Sequence, residues 1–108
     1  MKTITRDELK RKIESGDRFS LVEVLDPDQF ETFHLPGAIN VPLSNDFEGS
    51  IQKVVSDKDR VVVVYCANAS CDASPKAAEK MDKLGYTNVF DYEAGKQDWK
   101  EAGLPVET

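Results

Sequence analysis

The stretch VVVVYCANASCDAS, residues 61–74, decides how this chain reads. Four consecutive valines and a tyrosine lead straight into Cys66. A run this apolar and β-branched is consistent with a strand buried on both faces, as in the middle of a parallel sheet. The residues after it are small or polar. Ser74 and Pro75 then read as the N-cap and first residue of a helix. A thiol at the carboxyl end of such a strand lies in the crevice where open α/β sheets place their ligands.

That placement has chemical content. Free N–H groups of the loop and first helical turn point toward the sulfur, and the helix dipole favours an anion there. Such a setting lowers a thiol from a pKa of ~8.5 into the range ~3.5–7.5, and the thiolate is the nucleophile. Cys66 is therefore expected to be activated without a histidine. The binding loop is expected to be Ala67, Asn68, Ala69, Ser70, Cys71, Asp72 and Ala73, its backbone wrapping an anion held on sulfur. A plainer reading of the same residues makes Cys66 a buried core thiol, a common environment for cysteine.

Outward from this stretch the chain alternates strands and helices. Residues 1–4 suggest a short edge strand. Thr5 and Glu8 form a capping-box pair for a helix carrying Leu9 and Ile13, which Gly16 ends. A strand over 19–25 precedes a short helix with Asp26 as cap, Pro27 as first residue and Gln29 at the capping-box position, broken at His34-Leu35-Pro36-Gly37. A brief strand follows over 38–41. Asn45 and Glu48 read as another capping box, with Phe47, Ile51, Val54 and Val55 at helical spacing. Gly49 weakens that helix by about 1 kcal/mol relative to Ala. After the cysteine loop, Ala77, Ala78, Met81 and Leu84 form a buried stripe, with Glu79 and Lys83 on the wet side. A strand over 88–92 and a helix holding Trp99 close the chain. The pattern predicts one α/β domain over residues 1–108, a mainly parallel sheet with right-handed crossovers and helices on both faces.

The totals narrow the function classes. With 20 acidic and 14 basic residues the net charge is −6. That balance argues against nucleic acid or an anionic membrane as partner, since both reward clustered Lys and Arg. The opening MKTITRDELK lacks the apolar core of a signal peptide, and no stretch approaches spanning length. The expectation is a cytoplasmic protein whose two cysteines are free thiols. No second Cys pair or His cluster suggests a metal site.

Three blocks of the sequence resemble the single-domain rhodanese family. LVEVLDPDQFETFHLPGAINVPL (21–43) is similar to its first flanking motif, with HLPGAINVP the most specific part. VVVVYC (61–66), followed by SPKAAEKMDKLGY, resembles the active-site strand and its helix. NVFDYEAGKQDWKEAGLPV (88–106) resembles the second flanking motif, including the spacing of Gly95 and Trp99. The resemblance implies a rhodanese-like fold and sulfur transfer without a metal or organic cofactor. In that picture Cys66 carries a persulfide. Its thiolate takes sulfur from a donor, thiosulfate or another persulfide, some of it protein-borne, and a thiol or cyanide removes it.

Two departures from the family pattern stand out. Many active members have Cys-x-x-x-x-Arg before the residue that opens the helix. If Ser74 is that residue, this loop is longer and Ala73 replaces the arginine, while Asp72 adds a negative charge. The family's Asp-Val-Arg is Glu23-Val24-Leu25 here. Both changes weaken the case for oxyanion donors. Cys71 reads either as a resolving or relay thiol for Cys66 or as a small loop residue without a chemical role. His34 reads as part of a structural turn, Trp99 as core, Tyr92 as core or mouth, and Lys76 as a surface lysine near the site. A sulfurtransferase is the leading expectation. A non-catalytic or protein-to-protein sulfur carrier is the alternative. A phosphatase or arsenate-reductase-like enzyme lacks the arginine clamp it needs.

Overall fold

The computed structural model describes residues 2–44 and 46–108. In chain order its elements are β1 (Lys2–Thr3), α1 (Arg6–Glu14), β2 (Ser20–Glu23), α2 (Pro27–Thr32), β3 (Ile39–Asn40), α3 (Phe47–Val54), β4 (Val62–Tyr65), α4 (Ala73–Lys83), β5 (Val89–Tyr92) and α5 (Gly95–Glu101). The five strands form one sheet in the order β1-β5-β4-β2-β3, every neighbouring pair parallel. The valine-rich strand is its centre, as expected. In register, Val64 lies between Val22 on β2 and Asp91 on β5.

Alternation along β4 divides the core between the two faces of the sheet. Val62, Val64 and Cys66 join Phe47, Ile51, Ala77, Ala78 and Met81 from α3 and α4. Val63 and Tyr65 join Leu9 from α1, Leu35 and Trp99 from α5 on the other face. All four residues of β4 are fully buried. Each buried side chain of this kind is worth roughly 1.5–3 kcal/mol, so this strand holds both layers together. No helix among the described residues is long and apolar enough to cross a membrane.

Local signals explain most of the element boundaries. Thr5 Oγ1 accepts from the Glu8 amide while Glu8 Oε1 accepts from the Thr5 amide, the reciprocal pair that starts α1. On α4, Glu79 and Lys83 pair at 3.4 Å on the exposed side, and Ala77, Ala78 and Met81 are buried while Leu84 is only partly so.

Other expectations need correction. Asp26 flanks α2 but makes no side-chain cap bond. Val54 is 49% exposed, and Val55, one residue past the helix, turns inward instead. The Asn45–Glu48 box involves a residue outside the described ones. The helix after the cysteine loop begins at Ala73 with Asp72 flanking it, so Ser74 is inside the helix rather than its cap. The Asp72 carboxylate is held instead by Lys76 at 2.9 Å.

Candidate active site

Cys66 follows β4 directly, so the alternation of that strand aims its side chain toward α4. The thiol is buried: Cys66 is 1% exposed and belongs to the valine-lined core. Its sulfur lies 3.5 Å from the Cys71 carbonyl oxygen and 3.4 Å from Ser74 Oγ, both within hydrogen-bonding reach for sulfur. Burial pushes the Cys66 thiol above its ordinary value, and contact with Cys71 adds to the rise, while the Ser74 hydroxyl and amide oppose it. The expected lowering of the Cys66 thiol is therefore corrected, and the burial matches the plainer reading of a core thiol. Desolvation outweighs the loop's donors.

The loop's own hydrogen bonds account for this. Asn68 Oδ1 accepts from the amides of Ser70 at 3.0 Å and Cys71 at 3.1 Å, and the Asn68 carbonyl also accepts from Cys71 N–H. Asn68 thereby gathers the turn over the sulfur and occupies two amides that the sequence reading assigned to an anion. Within the loop, Asn68, Ala69, Ser70 and Asp72 are exposed, whereas Ala67, Cys71 and Ala73 are half-buried.

Cys71 takes the better-solvated position. Burial raises its thiol, but hydrogen bonds from Cys66 and from the amides of Ala67 and Ala73 outweigh that rise and hold it below the ordinary value. The two free thiols thus differ: a buried one raised above its ordinary value and a half-buried one held below it. The sequence contains no Lys or Arg between Cys66 and Ser74.

The floor of the site is rigid. The amides of Lys96 and Gln97, at the start of α5, donate to the carbonyls of Cys66 at 3.0 Å and Ala67 at 2.9 Å. Lys96 Nζ is buried against Glu23 Oε2 at 3.1 Å and the carbonyls of Gln29 at 2.6 Å and Phe33 at 2.7 Å. Tyr65 donates to Glu23 Oε1 at 2.9 Å and accepts from the Leu35 amide at 3.2 Å. Glu23 therefore works as the anion of a buried network joining β2, β4, α2 and α5. Sequence reasoning did not find Lys96. Its one signal was a lysine following the motif glycine.

The remaining singled-out residues are structural. His34 stacks on Phe30 with centroids 3.8 Å apart, and its Nδ1 lies 3.0 Å from the Phe30 carbonyl. Trp99 Nε1 donates to the Pro105 carbonyl. Tyr92 is buried and donates to Asp98 at 2.8 Å, so it lines no mouth. The described residues hold no group of three or more His, Cys, Asp or Glu placed for a metal. A surface cleft of about 380 Å³, lined by Thr3, Glu8, Arg11 and Phe90 among others, shares no residue with the cysteine loop.

Asp91 was missed. It is fully buried, and neither carboxylate oxygen closes a hydrogen bond of ordinary geometry among the described residues. Strand alternation held the signal: Asp91 shares a face with buried Val89, an acid in a core register.

Known proteins resemble the chain over most of its length. An HTH-type transcriptional regulator of Mycobacterium tuberculosis, Rv0324, is 35% identical over 96% of this chain and 44% of its own. Thiosulfate sulfurtransferase PspE of Escherichia coli is 40% identical over 63% of this chain and 62% of its own. The chain thus spans about half the length of the first relative and under two thirds of the second. The crystal structure of a rhodanese-related protein from Thermoplasma volcanium superposes with a TM-score of 0.81 at 28% identity, covering 99% of this chain and 98% of that one. The family model for the rhodanese-like domain matches residues 5–102, and this chain belongs to that family.

Proposed function

We propose that the chain moves sulfane sulfur through a persulfide on Cys66. The observation that supports this most is the pairing of two thiols in one loop at the carboxyl end of the central strand. Cys66 matches the position at which the family is expected to carry sulfur, and the Cys71 carbonyl lies 3.5 Å from its sulfur, with the Cys71 thiol held below its ordinary value. A donor's outer sulfur bonds to Cys66, the donor's leaving group departs, and a thiol or cyanide acceptor then removes the sulfur. The Cys71 turn covers Cys66, so a donor reaches the sulfur when this turn lifts. The ionic environment favours persulfide donors over thiosulfate. Lys76, the nearest cation in sequence, is spent on Asp72 at 2.9 Å.

The same observation favours a second reading, a module that receives sulfur from one protein thiol and passes it to another. It shares the Cys66 persulfide and differs in turnover. A thiosulfate-to-cyanide assay separates the two: an enzyme turns over with small substrates, and a carrier exchanges persulfide only with a protein partner. A phosphatase or arsenate-reductase-like activity has no support, because no loop arginine is present to clamp an oxyanion.

Incubation with a persulfide donor followed by intact mass measurement tests the shared claim. The wild-type chain gains the mass of one sulfur and Cys66→Ser gains none. Equal gain by both proteins, or no gain with persulfide and thiosulfate alike, overturns it.

A further inference from the structure

The peptide that joins Cys71 to Asp72 is the one whose oxygen lies 3.5 Å from Cys66 Sγ. Asp72 thus stands one peptide unit from the buried sulfur, and standard bond lengths keep its carboxylate within about 10 Å of it. The side chain itself faces water. It is 78% exposed, and Lys76, which it meets at 2.9 Å, is 61% exposed. Asp72 precedes α4 but makes no side-chain cap bond. Its carboxylate therefore contributes charge at this place rather than a cap.

That charge has little to offset it beyond Lys76. The loop and first turn carry no Lys or Arg from Ala67 to Pro75, so Lys76 is the first cation after Cys66. Further along α4, Lys80 and Lys83 hold Glu48 at 3.6 Å and Glu79 at 3.4 Å. Lys96 is buried on Glu23 at 3.1 Å. None of these four lysines is left unpaired to draw an oxyanion to the sulfur. The Lys76 ammonium holds the Asp72 carboxyl below the ordinary carboxylate range, so it is ionised at neutral pH.

We propose that Asp72 is a specificity-determining residue, which repels dianionic sulfur donors from Cys66, withholds Lys76 from them, and so selects persulfides over oxyanions. The proposal rests on the reading above, in which Cys66 carries the persulfide, and assigns its donor preference to one side chain.

The two donor classes bring different charge to the same reaction. With thiosulfate, the Cys66 thiolate attacks the outer sulfur and an Sγ–S bond forms. The bond from that sulfur to the sulfonate breaks, and sulfite leaves with the electron pair. Two negative charges must therefore approach the loop. An alkyl persulfide is attacked as the neutral R–S–SH. The alkyl thiolate leaves with the electron pair, and the outer S–H stays on Cys66. A unit charge about 10 Å from a dianion in water changes its local concentration roughly three- to fivefold. An unpaired Lys76 acts in the opposite sense by a similar factor. Both effects are screened by salt, since the Debye length is about 10 Å at 0.1 M.

The test measures single-turnover loading of Cys66 by sodium thiosulfate and by 2-hydroxyethyl persulfide, whose body is uncharged. Alkylation stops the reaction, intact mass reads it, and the readout is the ratio of the two rates. Both side chains are exposed, and such ion pairs contribute little to stability, so the variants fold. At low ionic strength Asp72→Asn is expected to raise the thiosulfate-to-persulfide ratio about tenfold, because it removes one negative charge and releases one positive. In Asp72→Asn/Lys76→Ala the gain falls to about threefold, and Lys76→Ala alone lowers the ratio below wild type. Salt at about 0.5 M compresses these differences. A purely structural role for Asp72 moves both rates together and leaves the ratio in place. An unmoved ratio overturns the proposal, as does a gain undiminished by the loss of Lys76 or by salt. Failure of the underlying reading looks different: neither donor adds sulfur to the wild-type chain, and the proposal falls with it.

Discussion

A methyl group on Gly95 would lie 2.6 Å from the carbonyl carbon of Ala67, 2.7 Å from its oxygen and 2.5 Å from the Asn68 nitrogen. Gly95 also holds a φ of +78°, which side-chain-bearing residues rarely adopt. The glycine thus lets α5 press its first amides onto the carbonyls that follow β4. Gly95→Ala is expected to cost about 2–5 kcal/mol, combining left-handed strain with overpacking. Urea denaturation checks the magnitude. Sulfur loading should fall as well, because backbone rather than a flexible side chain must move.

Lys96 and Glu23 form a buried ion pair at 3.1 Å, exposed 7% and 0% at their side chains. Removing one partner leaves the other charge uncompensated. Lys96→Met should lower stability by about 3–5 kcal/mol, and Glu23→Gln should also destabilise, since each strands a buried partner. The double variant should lose less than the sum of the two, a non-additivity that a double-mutant cycle measures.

The two thiols should separate in reactivity. Cys71 is half-buried with its thiol held low, and Cys66 is buried with its thiol held high. At neutral pH, limited iodoacetamide should label Cys71 at least about tenfold faster than Cys66, read by peptide mass. Equal labelling would contradict the assigned difference.

Asp91 makes stability depend on pH. Its carboxyl is raised by burial, so the folded chain binds that proton more tightly than the unfolded chain does. The stabilisation this gives is full below the unfolded carboxyl value and is lost as pH rises through the folded one. Asp91→Asn carries no such liability. It should be more stable than wild type by about 1–3 kcal/mol at neutral pH, and the advantage should vanish in acid. Thermal melts across pH check this.

The valine strand, its neighbours and the parallel order are legible in the sequence because hydrophobic runs and caps are local signals. Thr5 and Glu8 show this, since both bonds of the box form. Ser74 shows the opposite case. A serine before proline has the local chemistry of an N-cap, but here its hydroxyl meets Cys66 across the core and the helix begins before it. The burial of Cys66 depends on the path of its loop. The Asn68 side chain fixes that path by collecting two amides, and spacing alone does not reveal it. Asp91 was legible in principle, as a charge in the register of Val89, an acid where the strand alternation puts a core residue.

The most direct measurement locates the sulfur itself. After loading with a persulfide donor, the protein is alkylated, digested and its two cysteine peptides weighed separately. The account predicts the added sulfur on the Cys66 peptide, with Cys71 unmodified by sulfur. Sulfur resting on Cys71 alone, with Cys66 remaining a plain thiol, would contradict it.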